Sequence, residues 1–377
     1  MVYKLNKALY GLKQAPRAWN RRIDAYLAQL GFKRCVVEHG VYVMLKEDNK
    51  VLMVCLYVDD LLVTGNHTTE IDNFTSLMMS EFEMTNLGKL SYFLGLEFLW
   101  TEYGIVMHQR KYAGEILKRF GMEDCNVAIT PAETNQKLED KPEEEGVDPT
   151  GYKQLVGSLR YLCNSRPDIC YAVGVLSKFM NRPKKSHFLA AKRVLRYVKG
   201  TMQYGVMFPS SVDGAEMKLI GYSDADWCGD RTDRRSTSGY LFKFGGAAVS
   251  WSSKKQPVTA LSSCEAEYIS GSFAACQAIW LKSVLDELKC EVHMPLLLLI
   301  DNKSAISLAK NPVSHGRSKH IETRFHFIRE QVNNGVLKLI YCPTEDQLAD
   351  LLTKAVKPDR FIKLREEIGV ICFEDLN

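Results

Sequence analysis

The chain has 377 residues, enough for two or three domains, and its 46% hydrophobic and 25% charged content is ordinary for folded protein. A net charge of +4 excludes a globally basic nucleic-acid binder, so any affinity for a polyanion must come from local clustering. Eleven scattered cysteines without a CxxC pair fit neither a disulfide framework nor a zinc site, and read as reduced intracellular thiols.

MVYKLNKALY lacks the continuous apolar core of a signal peptide, and the late run Met294 to Ile300 is too short to span a bilayer. The expectation is a soluble intracellular protein, cytoplasmic or nuclear, with no membrane partner. The sequons at Asn66, Asn73 and Asn302 then read as chance.

ALYGLKQAPRAWNRRIDAYLAQLGF becomes helical after Pro16 and carries Lys13, Arg17, Arg21 and Arg22. Two apolar runs follow, Val51 to Val58 and Leu61 to Val63, joined by Asp59-Asp60 as in a tight hairpin. Such turns favour Asn-Gly or Asp-Gly, because both central residues need φ > 0. Asp-Asp is poor by that standard, and like charges so close oppose each other's ionisation unless a cation compensates. An isolated acid pair is usually a solvated turn. The apolar flanks here favour a divalent-metal site instead.

Thr69 opens an amphipathic helix with Ile71, Phe74, Leu77 or Met78, and Phe82 at helical spacing. KLSYFLGLEFLW is expected as one strand, TEYG as a turn, IVMHQ as a second strand and KYAGEILKRFGM as a helix. Glu139 to Pro149 holds six acids, two prolines and a glycine, and reads as an exposed linker. Three helices are expected next: Tyr152 to Asn164, Pro167 to Met180 with proline in its first turn, and Lys184 to Lys199.

From Lys178 to Lys199 there are eight Lys and Arg and no acid. On the last helix Phe188, Ala191, Leu195 and Val198 form the apolar stripe, with Lys192, Arg196 and Lys199 opposite. Most charge runs are solvated helix faces. A face of one sign is better explained by a polyanion.

In the last third, KLIGYSD is a strand ending in an acid, and GYLFKF-GG-AAVSWSS is a hairpin. CEAEYISGSFAACQAIWLKSVLDEL is a long helix, and PLLLLIDN is again a strand ending in an acid. Helices KSAISLAKN and IETRFHFIREQVNN, strand VLKLIYC and helix EDQLADLLTK complete an α/β domain. Asp224 and Asp301 end two strands, where sites form in α/β sheets. Glu267 lies in the first turns of the long helix and Asp350 in the last helix. Singly, each acid reads as a cap or surface residue. Together, four acids from four elements could hold two divalent ions as a hydrolytic clamp for a phosphodiester. Glu265 competes with Glu267, but Glu267 shares a small-residue face with Ser263 and Ser270 or Gly271, which favours it.

ALYGLKQAPRAW, LYVDDLLVTG, LGKLSYFLGLEF, YSDADWCGDRTDRRSTSGY, LSSCEAEY, LLLIDNKSAISLAKNP, KHIETRFHFIRE and QLADLLTK, in that order, resemble the Pol polyprotein of copia-type LTR retrotransposons. The resemblance runs from about residue 2 to 365. It implies an α/β and α+β multidomain chain: partial reverse-transcriptase palm and thumb at 1–133, acidic linker at 134–150, and helical connection at 151–215. An RNase H-like domain would follow at 217–357, with a tail at 358–377.

In that family YVDD binds catalytic magnesium at the palm hairpin, so the resemblance gives Asp59 and Asp60 that role. It also makes Lys13, Gln14 and Arg17 template and nucleotide contacts, Phe93-Leu94-Gly95 the primer grip, and Lys89 a pyrophosphate contact. The family's third polymerase carboxylate lies upstream of GLKQAPRAW. Asp24, beyond that motif, does not replace it, so the expectation is a truncated polymerase without activity of its own.

The resemblance makes Asp224, Glu267, Asp301 and Asp350 ligands of two Mg²⁺ (or Mn²⁺) ions that cleave the RNA of an RNA–DNA hybrid. The implied partners are that hybrid, an RNA template with DNA primer, and other Pol or Gag products. The loop CPTED lacks the histidine many RNases H carry there, and His320, earlier in the chain, reads as leading into a helix. Two alternatives stand beside an active ribonuclease: a catalytically dead nucleic-acid-binding remnant, and a domesticated scaffold.

Overall fold

The computed structural model describes residues 8–9, 11–134, 138–139, 142–210, 217–311 and 323–376. Asp140 and Lys141 of the acidic linker, and His320, lie outside them. The chain divides into two compact units, Met1–Leu90 with Ile279–Glu291, and Ser91–Ala278 with Val292–Asn377.

In the first unit, strands Lys33–Arg34, Val41–Leu45, Val51–Tyr57 and Asp60–Gly65 form an antiparallel sheet in chain order. Along Val51–Tyr57 the residues Leu52, Val54 and Leu56 are buried and alternate with less buried ones, the period of two that a one-faced strand requires. Helices Ala15–Gln29 and Thr68–Glu81 add Ile23, Leu27, Phe74 and Met78 to the same core. Tyr57 pairs with Asp60, so the hairpin connection is Val58-Asp59 and not Asp59-Asp60. The apolar run is one residue longer than the strand, because Val58 already turns at φ 56°.

The second unit contains two five-stranded sheets. One orders its strands Val370–Cys372, Tyr204–Pro209, Gly104–His108, Leu96–Thr101, Tyr92–Phe93. KLSYFLGLEFLW is therefore a hairpin and not one strand. Leu94 (φ 51°) and Gly95 (φ 79°) both take positive φ, the pattern of a tight primed turn. A Cβ on Gly95 would meet the Tyr161 hydroxyl at 2.0 Å, and that hydroxyl donates to the Leu94 carbonyl at 2.8 Å.

Helices Pro149–Leu162, Cys170–Leu176 and Lys185–Gly200 follow; the helix expected over Pro167 to Met180 has its α-helical part shortened by 3₁₀ turns Pro167–Ile169 and Ser177–Phe179. Arg166 and Asp168 pin the first of these turns through a buried ion pair at 2.7 Å. Residues 358–376, expected as a tail, contain helix Pro358–Ile368 and strand Val370–Cys372. Phe361, Leu364 and Ile368 recur on one helix face and are buried there. Leu155, Leu159, Val173, Leu195 and Val198 of the earlier helices share a core with Leu241, Leu352 and Leu364.

The other sheet runs Ala247–Lys255, Thr237–Phe244, Leu219–Ala225, Leu296–Ile300, Leu337–Tyr341. Its first three strands are antiparallel neighbours and the last two join in parallel. The helix expected over EDQLADLLTK is instead two 3₁₀ turns, Thr344–Asp346 and Leu348–Leu352. Gln347 separates them in an extended conformation, its amide donating to the Ser223 carbonyl at 3.0 Å.

Candidate metal centre

The register of the parallel strands sets the first two acids. Ile300 pairs with Ser223, so the next residues, Asp301 and Asp224, stand side by side at one edge of the sheet. On the other flank of Asp224 the paired residue is Gly239. A Cβ there would meet Thr353 Cγ2 at 2.7 Å and Leu352 Cβ at 2.8 Å. The bare glycine therefore lets the Leu348–Leu352 turn settle on the sheet and bring in Asp350. Asp224, Asp301 and Asp350 each offer an oxygen within 4.8 Å of the others. Asp224 and Asp350 are buried, and Asp301 is partly open.

Glu267 stands beside this triad on helix Ser263–Glu287. Its Oε1 accepts from the Ala225 amide at 3.2 Å, while Oε2 is buried without a hydrogen-bond partner. Glu265 is spent elsewhere, accepting from the Leu261 amide at 2.9 Å. Ser270 Oγ donates to the Asp224 carbonyl at 2.7 Å and fastens the helix to the central strand.

The fold offsets this crowding of acids with its own cations. Lys354 Nζ lies 2.7 Å from Asp350 Oδ1 and 3.5 Å from Asp224 Oδ2. Asp350 Oδ1 has no aligned hydrogen bond, so the close contact is an ion pair and not a directed bond. Arg360 donates to Asp350 Oδ2, and Thr353 Oγ1 to Asp224 Oδ2. Thr344 Oγ1 donates to Asp301 Oδ2 at 3.3 Å.

The electrostatics follow from burial and crowding. Burial, then the charges of Asp224 and Asp301, push Glu267 well above the usual carboxylate range. Burial and the Asp224 charge raise Asp301. Asp350 is pushed up to about 7 by burial and Asp224, against the pull of Lys354 and Arg360. Burial works against the Lys354 charge, but Asp224 and Asp350 outweigh it and raise that pKa.

An orphaned buried carboxylate oxygen beside three converging carboxylates is a set of hard oxygen donors, which fits Mg²⁺ or Mn²⁺. Sequence reasoning missed Gly239, Thr353, Lys354 and Arg360. Only Lys354 carried a signal, standing four residues after Asp350 in QLADLLTK.

In the first unit Asp59 and Asp60 are exposed at the hairpin turn. Trp19 Nε1 donates to the Val58 carbonyl at 2.6 Å, tying helix Ala15–Gln29 to that turn. Lys13, Gln14 and Arg17, all exposed, lie at the start of this helix, so the two motifs are brought together. Lys89 is exposed beyond helix Thr68–Glu81. Phe93, Leu94 and Gly95 belong to the second unit's hairpin turn.

The basic helix is less free than its composition suggests. Arg196 Nε donates to the Asn126 carbonyl at 2.7 Å, and Lys192 Nζ lies 4.9 Å from the Phe188 ring centroid. Lys199 is half-buried. Arg193 meets Glu133 at 2.6 Å and Lys185 meets Glu145 at 3.6 Å, so acids from the preceding segment answer the one-signed run.

A sequence model of the family described as reverse transcriptase (RNA-dependent DNA polymerase) matches residues 1–134. The Pol polyprotein of transposon RE1 from Arabidopsis thaliana is 41% identical over 98% of this chain and 25% of its own length. That of transposon TNT 1-94 from Nicotiana tabacum is 38% identical over 98% of this chain and 28% of its own length. A putative transposon Ty5-1 protein of Saccharomyces cerevisiae is 34% identical over 72% of this chain and 88% of its own length. Among solved structures, the N-terminal RNase H domain of a Mycobacterium tuberculosis protein, fused to maltose-binding protein, aligns with 40% of this chain and 98% of its own. Its identity is 13% and its TM-score 0.26.

A reverse-transcriptase segment followed by an α/β sheet with converging acids marks a nucleic-acid-processing polyprotein. The chain belongs to the Pol polyproteins of copia-type LTR retrotransposons. It spans about a quarter of the length of the RE1 relative.

Proposed function

We propose that the second unit hydrolyses the RNA strand of an RNA–DNA hybrid, leaving 3′-hydroxyl and 5′-phosphate ends. The observation that carries this reading is the convergence of Asp224, Asp301 and Asp350 within 4.8 Å, beside the orphaned Glu267 oxygen. Two divalent ions held there would supply a hydroxide nucleophile and stabilise the leaving oxygen. The chain's own part is to fix the donors. Thr353 and Ser270 hold Asp224, Ala225 holds Glu267, and the more open Asp301 faces the side from which substrate approaches. Such a site recognises the hybrid by shape, phosphates and 2′-hydroxyls.

In the first unit Asp59 and Asp60 take the polymerase metal-binding role toward an RNA template and DNA primer. Two adjacent carboxylates do not by themselves hold two ions in line, so primer extension would need a further carboxylate beside them. A second reading, a binding remnant without turnover, draws on Lys354 and Arg360, which already neutralise part of the acid cluster.

Purified protein, Mg²⁺ and an end-labelled hybrid decide between the two readings. Cleavage is expected, falling by about 10³-fold or more in Asp301→Asn, a loss of several kcal/mol of transition-state stabilisation. Asp59→Asn/Asp60→Asn should cut normally. Hybrid that stays bound and intact with the unsubstituted protein would establish the remnant.

A further inference from the structure

The expected polyanion surface lay on helix Lys185–Gly200, whose cations are largely spent within the chain. Elsewhere in the same unit, four cations gather around a cleft of ≈ 100 Å³: Arg160, Lys178, Lys254 and Lys255. They come from three places far apart in sequence, namely helix Pro149–Leu162, the turn after helix Cys170–Leu176, and the end of edge strand Ala247–Lys255. We infer that this cleft binds a backbone phosphate of the nucleic acid whose RNA strand the acid cluster cuts. The inference rests on the ribonuclease reading for the identity of the ligand.

Three features support it. First, two of the cations are held in place and two are unspent. Asp230 accepts from Lys178 at 3.0 Å and from Lys255 at 2.6 Å, and Asp233 accepts from Lys255 at 2.7 Å. Arg160 and Lys254 make no ion pair among the described residues and are exposed. Positive charge therefore remains over the cleft after its internal pairs are counted.

Second, the lining suits a tetrahedral anion. The hydroxyl-bearing residues Tyr171, Thr237 and Ser253 stand among the cations. At ≈ 100 Å³ the cleft is well below the size of a site for a whole small molecule, and is on the scale of a single anionic group.

Third, the cleft lies along the sheet edge from the acids. Thr237 pairs with Lys255, and two residues further along the same strand Gly239 pairs with Asp224. With strands about 4.8 Å apart, the edge strand is on the order of 10 Å from the Asp224 strand. That is roughly three nucleotide steps of a strand at about 3.4 Å of axis each. Tyr171 also lines a second, smaller cleft with Lys354, the residue paired to Asp224 and Asp350. Tyr171 thus stands between the cations of the cleft and the lysine paired to the acids.

The test is hybrid binding in EDTA by fluorescence anisotropy, across a salt series, with cleavage in Mg²⁺ measured in parallel. The full chain is compared with Arg160→Gln/Lys254→Gln and with Lys192→Gln/Lys199→Gln. Loss of one phosphate contact lowers the slope of log affinity against log salt by about 1, so this is the expected change for the cleft variant alone. Thermal unfolding unchanged from the unsubstituted chain shows that fold is not the cause.

A slope unchanged in the cleft variant, or lowered only in the helix variant, overturns the inference. Cleavage with an unchanged slope would leave the ribonuclease reading standing without the cleft. A lowered slope without any cleavage would keep the cleft as a phosphate site and sink the ribonuclease reading.

Discussion

Asp59 and Asp60 are neighbours in sequence, exposed at a turn, and held from behind by one indole hydrogen bond. Asp224, Asp301 and Asp350 come from two strands and a 3₁₀ turn, and meet only because the sheet register and a bare glycine bring them together. The first set costs the fold almost nothing, since water solvates both charges. The second takes charge out of water, so the fold must supply Lys354, Arg360 and Thr353 against it. Acids at a turn can therefore be altered with little consequence for folding, whereas the cluster's geometry and the stability of its unit are coupled.

The sharpest test of that coupling is a buried charge pair in the same unit. Arg166 and Asp168 are both buried, and Arg166 also donates to the Thr201 carbonyl at 2.9 Å. Arg166→Met leaves the buried Asp168 carboxylate its Tyr197 hydroxyl bond but not its paired guanidinium, and should cost about 3–5 kcal/mol in denaturant unfolding. The pH dependence has a definite sign. Burial pushes the Asp168 carboxyl up, but Arg166 outweighs it and holds the group below the usual carboxylate range. Its contribution is present above the unfolded value near 3.9, and is lost as pH falls through the lower folded value. The variant should lack this contribution; an unchanged acid limb would mean the pair is not formed.

Two backbone positions come next in size. Gly239→Ala forces Leu352 and Thr353 off the sheet and should cost ~1–3 kcal/mol. Because Asp350 rides on that turn, Mg²⁺ affinity should fall with it, and a loss of stability without loss of affinity would separate the two. At the exposed turn the sign reverses. Val58 is β-branched at φ 56°, so Val58→Gly relieves about 1–2 kcal/mol of strain against roughly 0.5–1 kcal/mol of added chain entropy. A net gain of about 0–1.5 kcal/mol is expected, read in an unfolding transition of the first unit.

The legibility of the sequence follows the same division. Strands Val51–Tyr57, Leu219–Ala225 and Leu296–Ile300 are short apolar runs with abrupt ends, and the acids at those ends were visible as such. Leu348–Leu352 was not legible as a 3₁₀ turn, because what bends it is the Gln347 bond to Ser223, 124 residues away. KLSYFLGLEFLW hid a hairpin because Leu94 takes a positive φ that leucine does not advertise. The basic run misled for a related reason: composition shows the sign of a face, but not the carbonyls and acids that another segment lays against it. Arg160, Lys178, Lys254 and Lys255 are dispersed in sequence, and only the fold assembles them.

The smallest effect separates the two carboxylate sets most directly. Lys354→Met removes the ammonium that lies between Asp350 and Asp224 in the absence of divalent ions. Its side chain is 38% exposed, so solvent screening limits the cost to ~1 kcal/mol near neutral pH. Added Mg²⁺ should restore this loss, because an ion bound by the three carboxylates replaces the missing charge and binding to the folded state stabilises it by mass action. The thermal shift produced by Mg²⁺ should therefore be larger in the variant than in the unsubstituted chain. Asp59→Asn/Asp60→Asn, by contrast, should leave metal-free unfolding where it was, since both acids are exposed and no ion pair ties a cation to them among the described residues. An equal Mg²⁺ shift with and without Lys354 would mean that the lysine and the ion do not share the cluster, and that the acids are held together by the fold alone.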